Sequence, residues 1–372
     1  MRKLRIVSIE GTTLTGGSAF ISASLLQHTN RALRQAGHPG LLRNAHVFAG
    51  TSAGSWNALY LASHKDPDEA LPGLDEYWSE LLSAFSSEDL LMLARMVGTA
   101  MGTQALMSTR RLRDFFLDVF GHDTRLGDLP RKVIVPSFQL DNRSPNHRHW
   151  KPKVFHNFGG PDDPDLDELV ADVAMRSGSP PLFTPIYQSV NGTGSGYVDG
   201  GIFANNPSMV ALAQIIHDAR EAERLDVIGN RALLLSLGNG MSQEYVDPMM
   251  FRGMADWGYR RWLLDPSDPQ VLLRMLFQAG SQAIDFQTRS LLGDDGYYRL
   301  NPCFSHPISA NPSNVARTME TLPQLPGVAE DIAAAVGWLM SPEVGWMAPD
   351  VEDSTASGDA HHGKSSRRGA AP

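Results

Sequence analysis

The most informative segment of this chain is Gly50-Thr51-Ser52-Ala53-Gly54. An apolar run at residues 45–49 leads into it, and a helix-like run at residues 56–62 leads out of it. A strand, a sharp turn and a helix in this order push the side chain at the turn out of the edge of a sheet, so Ser52 is a candidate nucleophile. The flanking glycines fit this reading because bulkier residues would collide with the strand and the helix. A glycine-rich turn carrying an ordinary surface serine is the alternative for so short a motif.

The neighbouring segments predict an α/β sheet with short connections. Residues 4–9 have the pattern of a first strand, and residues 21–36 carry apolar side chains at helical spacing. With the strand and helix around Ser52, the order becomes strand, helix, strand, helix, which is typical of an α/β fold. Further strands are predicted at 133–140, 153–158 and 232–237, and further helices at 109–120, 167–176, 208–224 and 328–340, with helices dominating 241–301.

Three regions are predicted along the chain. Residues 1–320 form the main domain, residues 321–348 a C-terminal helical segment, and residues 349–372 a disordered tail rich in Ser, Gly, Asp and His. Within the main domain, residues 67–107 have helical patterning and include four closely spaced methionines, Met92, Met96, Met101 and Met107. This insertion is either a lid that contacts acyl chains or ordinary helix packing in the core, and packing is the commoner role of such methionines.

Composition limits the classes of partner. A hydrophobic content of 42% in 372 residues is enough for a substantial core, whereas a formal net charge of -9 argues against nucleic-acid binding. The sole cysteine, Cys303, forms no internal disulfide and fits a reducing compartment. Residues 4–9 are too short and too polar for an export signal, and no apolar stretch is long enough to span a membrane. We therefore predict a cytoplasmic protein whose contact with a membrane surface is at most peripheral; the sequence does not specify its oligomeric state.

A serine nucleophile needs a base that accepts its proton. An ordinary α/β-hydrolase places an acid and then a histidine after the serine, and His217 and His306 formally meet this order. However, His217 lies within an apolar-periodic helix, and neither histidine is framed by glycine. Asp199 is framed in this way, because a strand-like pair precedes it and Gly200-Gly201 follows it, which allows a close approach of backbone or substrate. Asp199 is therefore the candidate base, with a turn-initiating Asp-Gly as the ordinary alternative.

The sequence predicts no metal and no cofactor. His147 and His149 lie in a polar turn with no acidic or cysteine partner at ligand spacing, so we expect them to be solvated loop residues. A nucleotide-binding protein is also disfavoured. No Gly-Lys-Ser/Thr follows any of the glycine-rich loops, and none has the Gly-X-Gly-X-X-Gly spacing.

Four ordered segments resemble the patatin-like phospholipase family. The Ser52 pentapeptide is similar to the family's nucleophile elbow, residues 177–185 to the segment before its aspartate, residues 199–207 to its Asp-Gly-Gly/Ala motif, and residues 235–240 to its next strand and turn. The resemblance implies a three-layer α/β/α sandwich with a mostly parallel central sheet and extra C-terminal helices. It also implies a Ser52–Asp199 dyad that hydrolyses phospholipids or other acyl-ester lipids in the manner of phospholipase A or lysophospholipase.

The loop after the first strand departs from the family pattern. That pattern is a glycine run of the Gly-Gly-Gly-X-Arg/Lys-Gly kind, whereas residues 10–18 read Glu-Gly-Thr-Thr-Leu-Thr-Gly-Gly-Ser and contain no basic residue. We expect the backbone amides of Gly16, Gly17, Ser18 and Ala53 to bind the oxyanion. Losing one such donor typically costs roughly 100-fold to 1000-fold in turnover. A catalytically weak or inactive lipid-binding or interaction protein of the same fold therefore remains the alternative.

Overall fold

A seven-stranded sheet forms the centre of the protein. The computed structural model describes residues 3–12, 18–86, 108–181, 183–221, 232–242, 245–247, 257–259, 262 and 271–349. The strands in these ranges are β1 (Leu4–Ile9), β2 (Val47–Gly50), β3 (Lys132–Gln139), β4 (Lys151–His156), β5 (Tyr197–Asp199), β6 (Ala232–Leu237), β7 (Met241–Ser242), β8 (Tyr297–Leu300) and β9 (Cys303–Phe304). Strands β7 and β9 form a separate small pair beside the main sheet.

The main sheet is mostly parallel, as the sequence predicts. Its order is β4-β3-β2-β1-β6-β8, and every neighbouring pair except β3 and β4 is parallel. Strand β5 also pairs with β3 in the antiparallel sense. Strands β1, β2 and β6 are almost wholly buried, which explains why apolar residues predominate on both faces of the sheet in them. Their polar members, Arg5, Ser8 and Ser236, are buried as well.

Helices cover both faces of the sheet, which confirms the predicted three-layer α/β/α fold. The helices of the described ranges are α1 (Phe20–Gln35), α2 (Ala53–Ala62), α3 (Pro67–Ala70), α4 (Leu74–Ser86), α5 (Arg110–Phe120), α6 (Val170–Ser177), α7 (Gly201–Ala204), α8 (Ser208–Glu221), α9 (Val271–Gly296), α10 (Val315–Thr321) and α11 (Val328–Met340). On one face of the sheet, Val7, Ile9 and Phe48 pack in the larger core with α1. On the other face, Ile6 and Ala49 pack in a smaller core with α8.

The short strand β8 was not predicted from the sequence, whereas helix α9 occupies most of the described part of residues 241–301, where helices were predicted to dominate. Strand β8, with the sequence Tyr-Tyr-Arg-Leu, extends the sheet beyond β6. It is only four residues long, and its third residue, Arg299, forms an ion pair with Glu10. A strand with a charged residue at a nearly buried position has neither an apolar run nor a clean alternation, so its pattern gives no strand signal.

The predicted divisions of the chain remain predictions. Residues 67–86 of the proposed insertion form α3, a 3₁₀ turn and α4, whereas its four methionines lie outside the described residues. The tail from residue 350 onward also lies outside them. Helix α11 has the predicted bounds and packs into the larger core. None of the helices in the described ranges has the length and apolar character that crossing a membrane requires.

Candidate active site

Ser52 occupies a strained turn between β2 and α2. Its backbone has a φ of 53° and a ψ of -130°, in a region that non-glycine residues rarely adopt. The turn closes through hydrogen bonds from the Gly54 N–H to the Thr51 carbonyl and from the Ser55 N–H to the Ser52 carbonyl, both 2.8 Å long. The structure therefore shows the strand-turn-helix arrangement that the sequence predicts around Ser52.

The two glycines of the elbow allow very close backbone contacts. A Cβ atom at Gly50 would lie 2.3 Å from the Gly54 carbonyl oxygen, and one at Gly54 would lie 2.4 Å from the Ile9 carbonyl oxygen. Real Cβ atoms are not found so close to a backbone oxygen. Glycine at both positions is therefore required by contacts between α2, its own turn and the end of β1.

We expect Gly54→Ala to lower the free energy of unfolding by about 1–3 kcal/mol, the usual cost of forcing extra atoms into a tightly packed site. The new methyl group would meet two backbone carbonyl oxygens, those of Ile9 and Glu10, and neither can rotate away as a side chain would. Urea unfolding measures the change. Gly337→Ala in α11 is the matched control, because nothing lies within 4 Å of a Cβ there; equal stability of the two variants would contradict the prediction.

The sheet brings Asp199 to Ser52 through their shared neighbour, β3. Strand β2 pairs with the first part of β3, where Ala49 is opposite Ile134. Strand β5 runs the other way along the second part, where Asp199 is opposite Ser137. The carboxyl ends of β2 and β5 therefore approach each other from opposite directions beside the middle of β3, although they are far apart in sequence.

Ser52 and Asp199 are joined by a short hydrogen bond. The Ser52 hydroxyl donates to Asp199 Oδ2 at 2.6 Å, and the Gly201 N–H donates to Asp199 Oδ1 at 2.7 Å. The side chain of Asp199 is buried, and this burial raises its pKa to about 7, against the opposing effect of the two hydrogen bonds. A carboxyl group with this pKa changes its ionisation near neutral pH and is a stronger base than an ordinary aspartate.

Ser177 holds the backbone of Ser52 and the backbone next to Asp199 in position beside β3. Its hydroxyl accepts a 2.9 Å hydrogen bond from the Ser52 N–H and donates a 2.7 Å hydrogen bond to the Pro136 carbonyl. Its own carbonyl accepts a bond from the Gly200 N–H. Gly200 is needed here, since a Cβ would lie 2.3 Å from the Pro136 carbonyl oxygen. The family resemblance points to residues 177–185, but nothing in the sequence indicates the role of the Ser177 hydroxyl.

The predicted oxyanion-binding residues are only partly described. Gly16 and Gly17 lie outside the described residues. Ser18 is described, and its carbonyl accepts a hydrogen bond from the Ile21 N–H at the start of α1. Ala53 is the first residue of α2, where backbone N–H groups have no partner within the helix. The assignment of these amides to an oxyanion remains a prediction.

The histidine side chains considered from the sequence are far more exposed than those of Ser52 and Asp199. His217 is exposed on α8, and His306 is exposed in the loop after β9. His147 and His149 are exposed in the loop between β3 and β4, as predicted for solvated residues. Within the described ranges, no group of three or more His, Cys, Asp or Glu side chains is arranged to hold a metal ion.

A buried polar cluster at the end of β1 was not predicted from the sequence. The Glu10 carboxylate forms an ion pair with Arg299 of β8 and accepts a hydrogen bond from the Ser281 hydroxyl of α9. It also accepts a 3.1 Å bond from Asn205 Nδ2, while Arg299 Nη1 donates to the Ser236 hydroxyl at 3.0 Å. The cluster joins three strands and a helix beside the elbow. Its members are too widely separated in sequence for any local pattern to reveal them.

Comparison with known proteins identifies the family. The profile of patatin-like phospholipases matches residues 15–212. The chain is similar to the putative sporulation hydrolase CotR of Bacillus subtilis (strain 168), with 31% identity over 340 residues that cover 86% of this chain and 93% of the relative. It is also similar to protein teg of Priestia megaterium, with 31% identity over 335 residues covering 85% and 92% of the two chains.

Among solved structures, VipD from Legionella pneumophila matches with a TM-score of 0.37 and 14% identity, covering 90% of this chain and 67% of that one. The family profile and the two bacterial relatives are sufficient for the assignment. The chain belongs to the patatin-like phospholipase family, and this membership, with the hydrolase name of one relative, supports hydrolase chemistry.

Proposed function

We propose that the protein is a serine lipid acyl hydrolase that cleaves carboxylic esters of the phospholipase A or lysophospholipase type through a Ser52–Asp199 dyad. The observation that carries the proposal is the 2.6 Å hydrogen bond between Ser52 Oγ and a buried carboxyl group whose pKa is raised to about 7. This pair couples a weak nucleophile directly to a base of the strength that proton transfer near neutral pH requires. Membership of the patatin-like phospholipase family supports a lipid ester as the substrate.

The reaction has two steps in this proposal. Ionised Asp199 takes the proton from Ser52 Oγ as that oxygen attacks the ester carbonyl, and the protonated carboxyl group then gives the proton to the leaving alcohol. In the second step Asp199 takes a proton from water, the resulting hydroxide attacks the acyl-serine, and Ser52 recovers its proton as the fatty acid leaves. Acyl transfer to an alcohol would use the same acyl-enzyme, and the products formed with added glycerol distinguish it from hydrolysis.

Backbone amides stabilise the negative charge that develops on the carbonyl oxygen. The amide of Ala53 at the N-terminus of α2 is placed next to Ser52, and the helix dipole favours an anion there. The amides of Gly16, Gly17 and Ser18 complete the proposed set. Because the loop carries no basic residue, stabilisation of the oxyanion in this proposal depends on backbone N–H groups and not on a side-chain cation.

We expect a fluorophosphonate probe to label the protein at a single serine, Ser52, because only an activated hydroxyl displaces fluoride from the probe. The labelling rate should fall about tenfold for each pH unit below about 7, as protonation of Asp199 removes the base. Peptide mass spectrometry locates the adduct. Ser63→Ala, at the C-terminal end of the same helix, should be labelled like the wild type. Equal labelling of Ser52→Ala would disprove the assignment, and no labelling of the wild type would favour the inactive lipid-binding alternative.

A further inference from the structure

The hairpin formed by β3 and β4 projects from the edge of the sheet that carries Ser52. Strand β2 pairs with β3 only over residues 132–134, and Ser52 lies two residues beyond the end of β2. The last five residues of β3, 135–139, continue in the same direction for about 17 Å at the usual rise of a strand. The turn of the hairpin, residues 140–150, therefore stands out beyond this edge.

Three apolar side chains, Leu140, Trp150 and Ile186, form a patch at the base of this turn, which we call the hairpin patch. The register of β3 and β4, continued by one residue, places Leu140 opposite Trp150, so their side chains project from the same face. Ile186 lies on the other side of Leu140, since a Cβ atom on Gly196 would be 2.7 Å from Ile186 Cγ2 and 3.8 Å from Leu140 Cδ1. Trp150 is 70% exposed and Ile186 is 59% exposed. Large apolar side chains exposed together in this way mark an interaction surface.

The hairpin patch is continuous with the helix that follows Asp199. Phe138 lies two residues before Leu140 in β3 and therefore faces the same way. Its ring centre is 6.4 Å from that of Phe203 in α7, and the neighbouring residue of α7, Ile202, is exposed. The apolar surface thus extends from the projecting turn to the region of the candidate active site.

Positively charged side chains surround the hairpin patch. Residues 140–153 contain four Arg or Lys residues and one acidic residue, although the chain as a whole has a formal net charge of -9. The acidic residue, Asp141, forms an ion pair with Arg148. Arg143 and Lys151 are exposed and have no carboxylate partner within the described ranges. An exposed tryptophan beside such cations suits the interface of a membrane whose head groups are anionic.

We propose that the β3–β4 turn and Ile186 dock on the surface of an anionic lipid bilayer, with the Ser52 edge of the sheet facing the lipid. The inference rests on the proposed function in one respect, because a lipid ester substrate lies in such a surface. Trp150 and Ile186 insert among the head groups, and Arg143 and Lys151 contact the lipid phosphates. A stable interface with another protein uses about 20–30 residues on each side. A few apolar side chains at a projecting turn fit shallow insertion into lipid better.

Partitioning into ether-lipid vesicles tests the proposal without relying on catalysis. The vesicles contain di-O-phytanyl phosphatidylcholine alone or with di-O-phytanyl phosphatidylglycerol as an anionic component, and neither lipid has an ester to hydrolyse. In sedimentation at low salt, the full-length wild type should partition at least about tenfold more strongly into the anionic vesicles. Screening by added sodium chloride should reduce this preference. Equal partitioning into both kinds of vesicle, or none into either, would overturn the proposal.

An apolar variant with a matched control locates the contact. Trp150→Ala should lower partitioning into the anionic vesicles by at least about tenfold, because it removes the largest apolar side chain of the hairpin patch. Leu291→Ala is the control. Leu291 is 66% exposed, but it lies near the end of α9, just before β8 begins, at the opposite edge of the sheet. Equal partitioning of Trp150→Ala and the wild type would show that the hairpin patch does not insert.

A pair of charge variants tests the role of the cations. The double substitution Arg143→Gln and Lys151→Gln should lower the preference for anionic vesicles by at least about tenfold. Arg31→Gln with Arg34→Gln removes the same formal charge from exposed positions near the end of α1 and should leave the preference unchanged. An equal loss in both double variants would indicate attraction by overall charge alone and would refute docking through the hairpin.

Hydrolysis of the soluble ester p-nitrophenyl butyrate separates this inference from the proposed function. The reaction needs no lipid surface, so Trp150→Ala should hydrolyse this ester at the wild-type rate. Binding to anionic vesicles through the hairpin without any ester hydrolysis would refute the catalytic proposal and leave the docking surface standing. Hydrolysis of the ester by a protein that binds neither kind of vesicle would refute the docking surface alone.

Discussion

Ser52→Ala should reduce hydrolysis of p-nitrophenyl butyrate to near the background rate, a loss of roughly 10⁴-fold to 10⁶-fold in kcat. The acyl-enzyme cannot form without the Ser52 hydroxyl, and no other hydroxyl in the described structure donates to Asp199. The neighbouring serine of the elbow, Ser55, donates instead to the Ser52 carbonyl. Initial rates of p-nitrophenol release test this expectation, at protein concentrations that allow rates over a 10⁵-fold range to be measured.

The loss should be specific to catalysis. The Ser52 hydroxyl makes its hydrogen bond within the pair, whereas its N–H bonds to Ser177 and its carbonyl is an acceptor in the turn, and alanine retains both backbone groups. We therefore expect the thermal unfolding midpoint of Ser52→Ala to differ little from that of the wild type. Ser63→Ala provides the control for activity and should hydrolyse the ester at the wild-type rate. A variant lacking the Ser52 hydroxyl that retained wild-type turnover would exclude Ser52 as the nucleophile.

Features with a local sequence signal were predictable, and features built by distant contacts were not. Around Ser52, steric limits act over five consecutive residues, so the pattern of glycines reveals the turn. Asp199 carries a similar local frame, but the shared strand β3 that brings it to Ser52 is a property of the sheet. Helix α11 was predicted with its observed bounds because its apolar residues recur with helical period and pack against the core.

The cluster around Glu10 shows where sequence reasoning failed. Glu10 and Arg299 are 289 positions apart, and each is a single charged residue in an otherwise unremarkable segment. Isolated charged residues are usually solvated, and only the folded sheet shows that these two are paired and largely removed from water. The missed strand β8 had the same cause, since Arg299 interrupts its apolar pattern.

Burial of the Asp199 carboxyl group should lower the free energy of unfolding when that group is ionised, although the same burial makes it a better base for the reaction. Its pKa rises from 3.8 to about 7 on folding. Between these values the folded protein holds a proton that the unfolded chain has released, so stability falls as the pH rises, by up to about 1.4 kcal/mol per pH unit. The contribution is fully present below about pH 4 and is lost above about pH 7, where the buried carboxylate is ionised.

Asp199→Asn should therefore inactivate the protein and stabilise it at the same time. We expect kcat to fall by roughly 10³-fold to 10⁴-fold, because an amide cannot accept the serine proton. The free energy of unfolding should rise at pH 8 by about 2–4 kcal/mol, because asparagine fills the same space without a buried charge and keeps an oxygen for the Gly201 N–H. Ester hydrolysis and urea unfolding at pH 5 and pH 8 measure the two effects.

The pH dependence of the stability difference distinguishes the effect of a buried, ionised Asp199 from a general structural effect of the substitution. The stability difference between Asp199→Asn and the wild type should be much smaller at pH 5, where most of the wild-type carboxyl is already protonated in the folded protein. Asp118→Asn on the exposed side of α5 removes the same formal charge and should change neither activity nor stability appreciably. A residue that merely maintained the fold would lose activity and stability together. Lower stability of Asp199→Asn at pH 8 would therefore contradict the buried, raised-pKa carboxyl on which the proposed proton transfer depends.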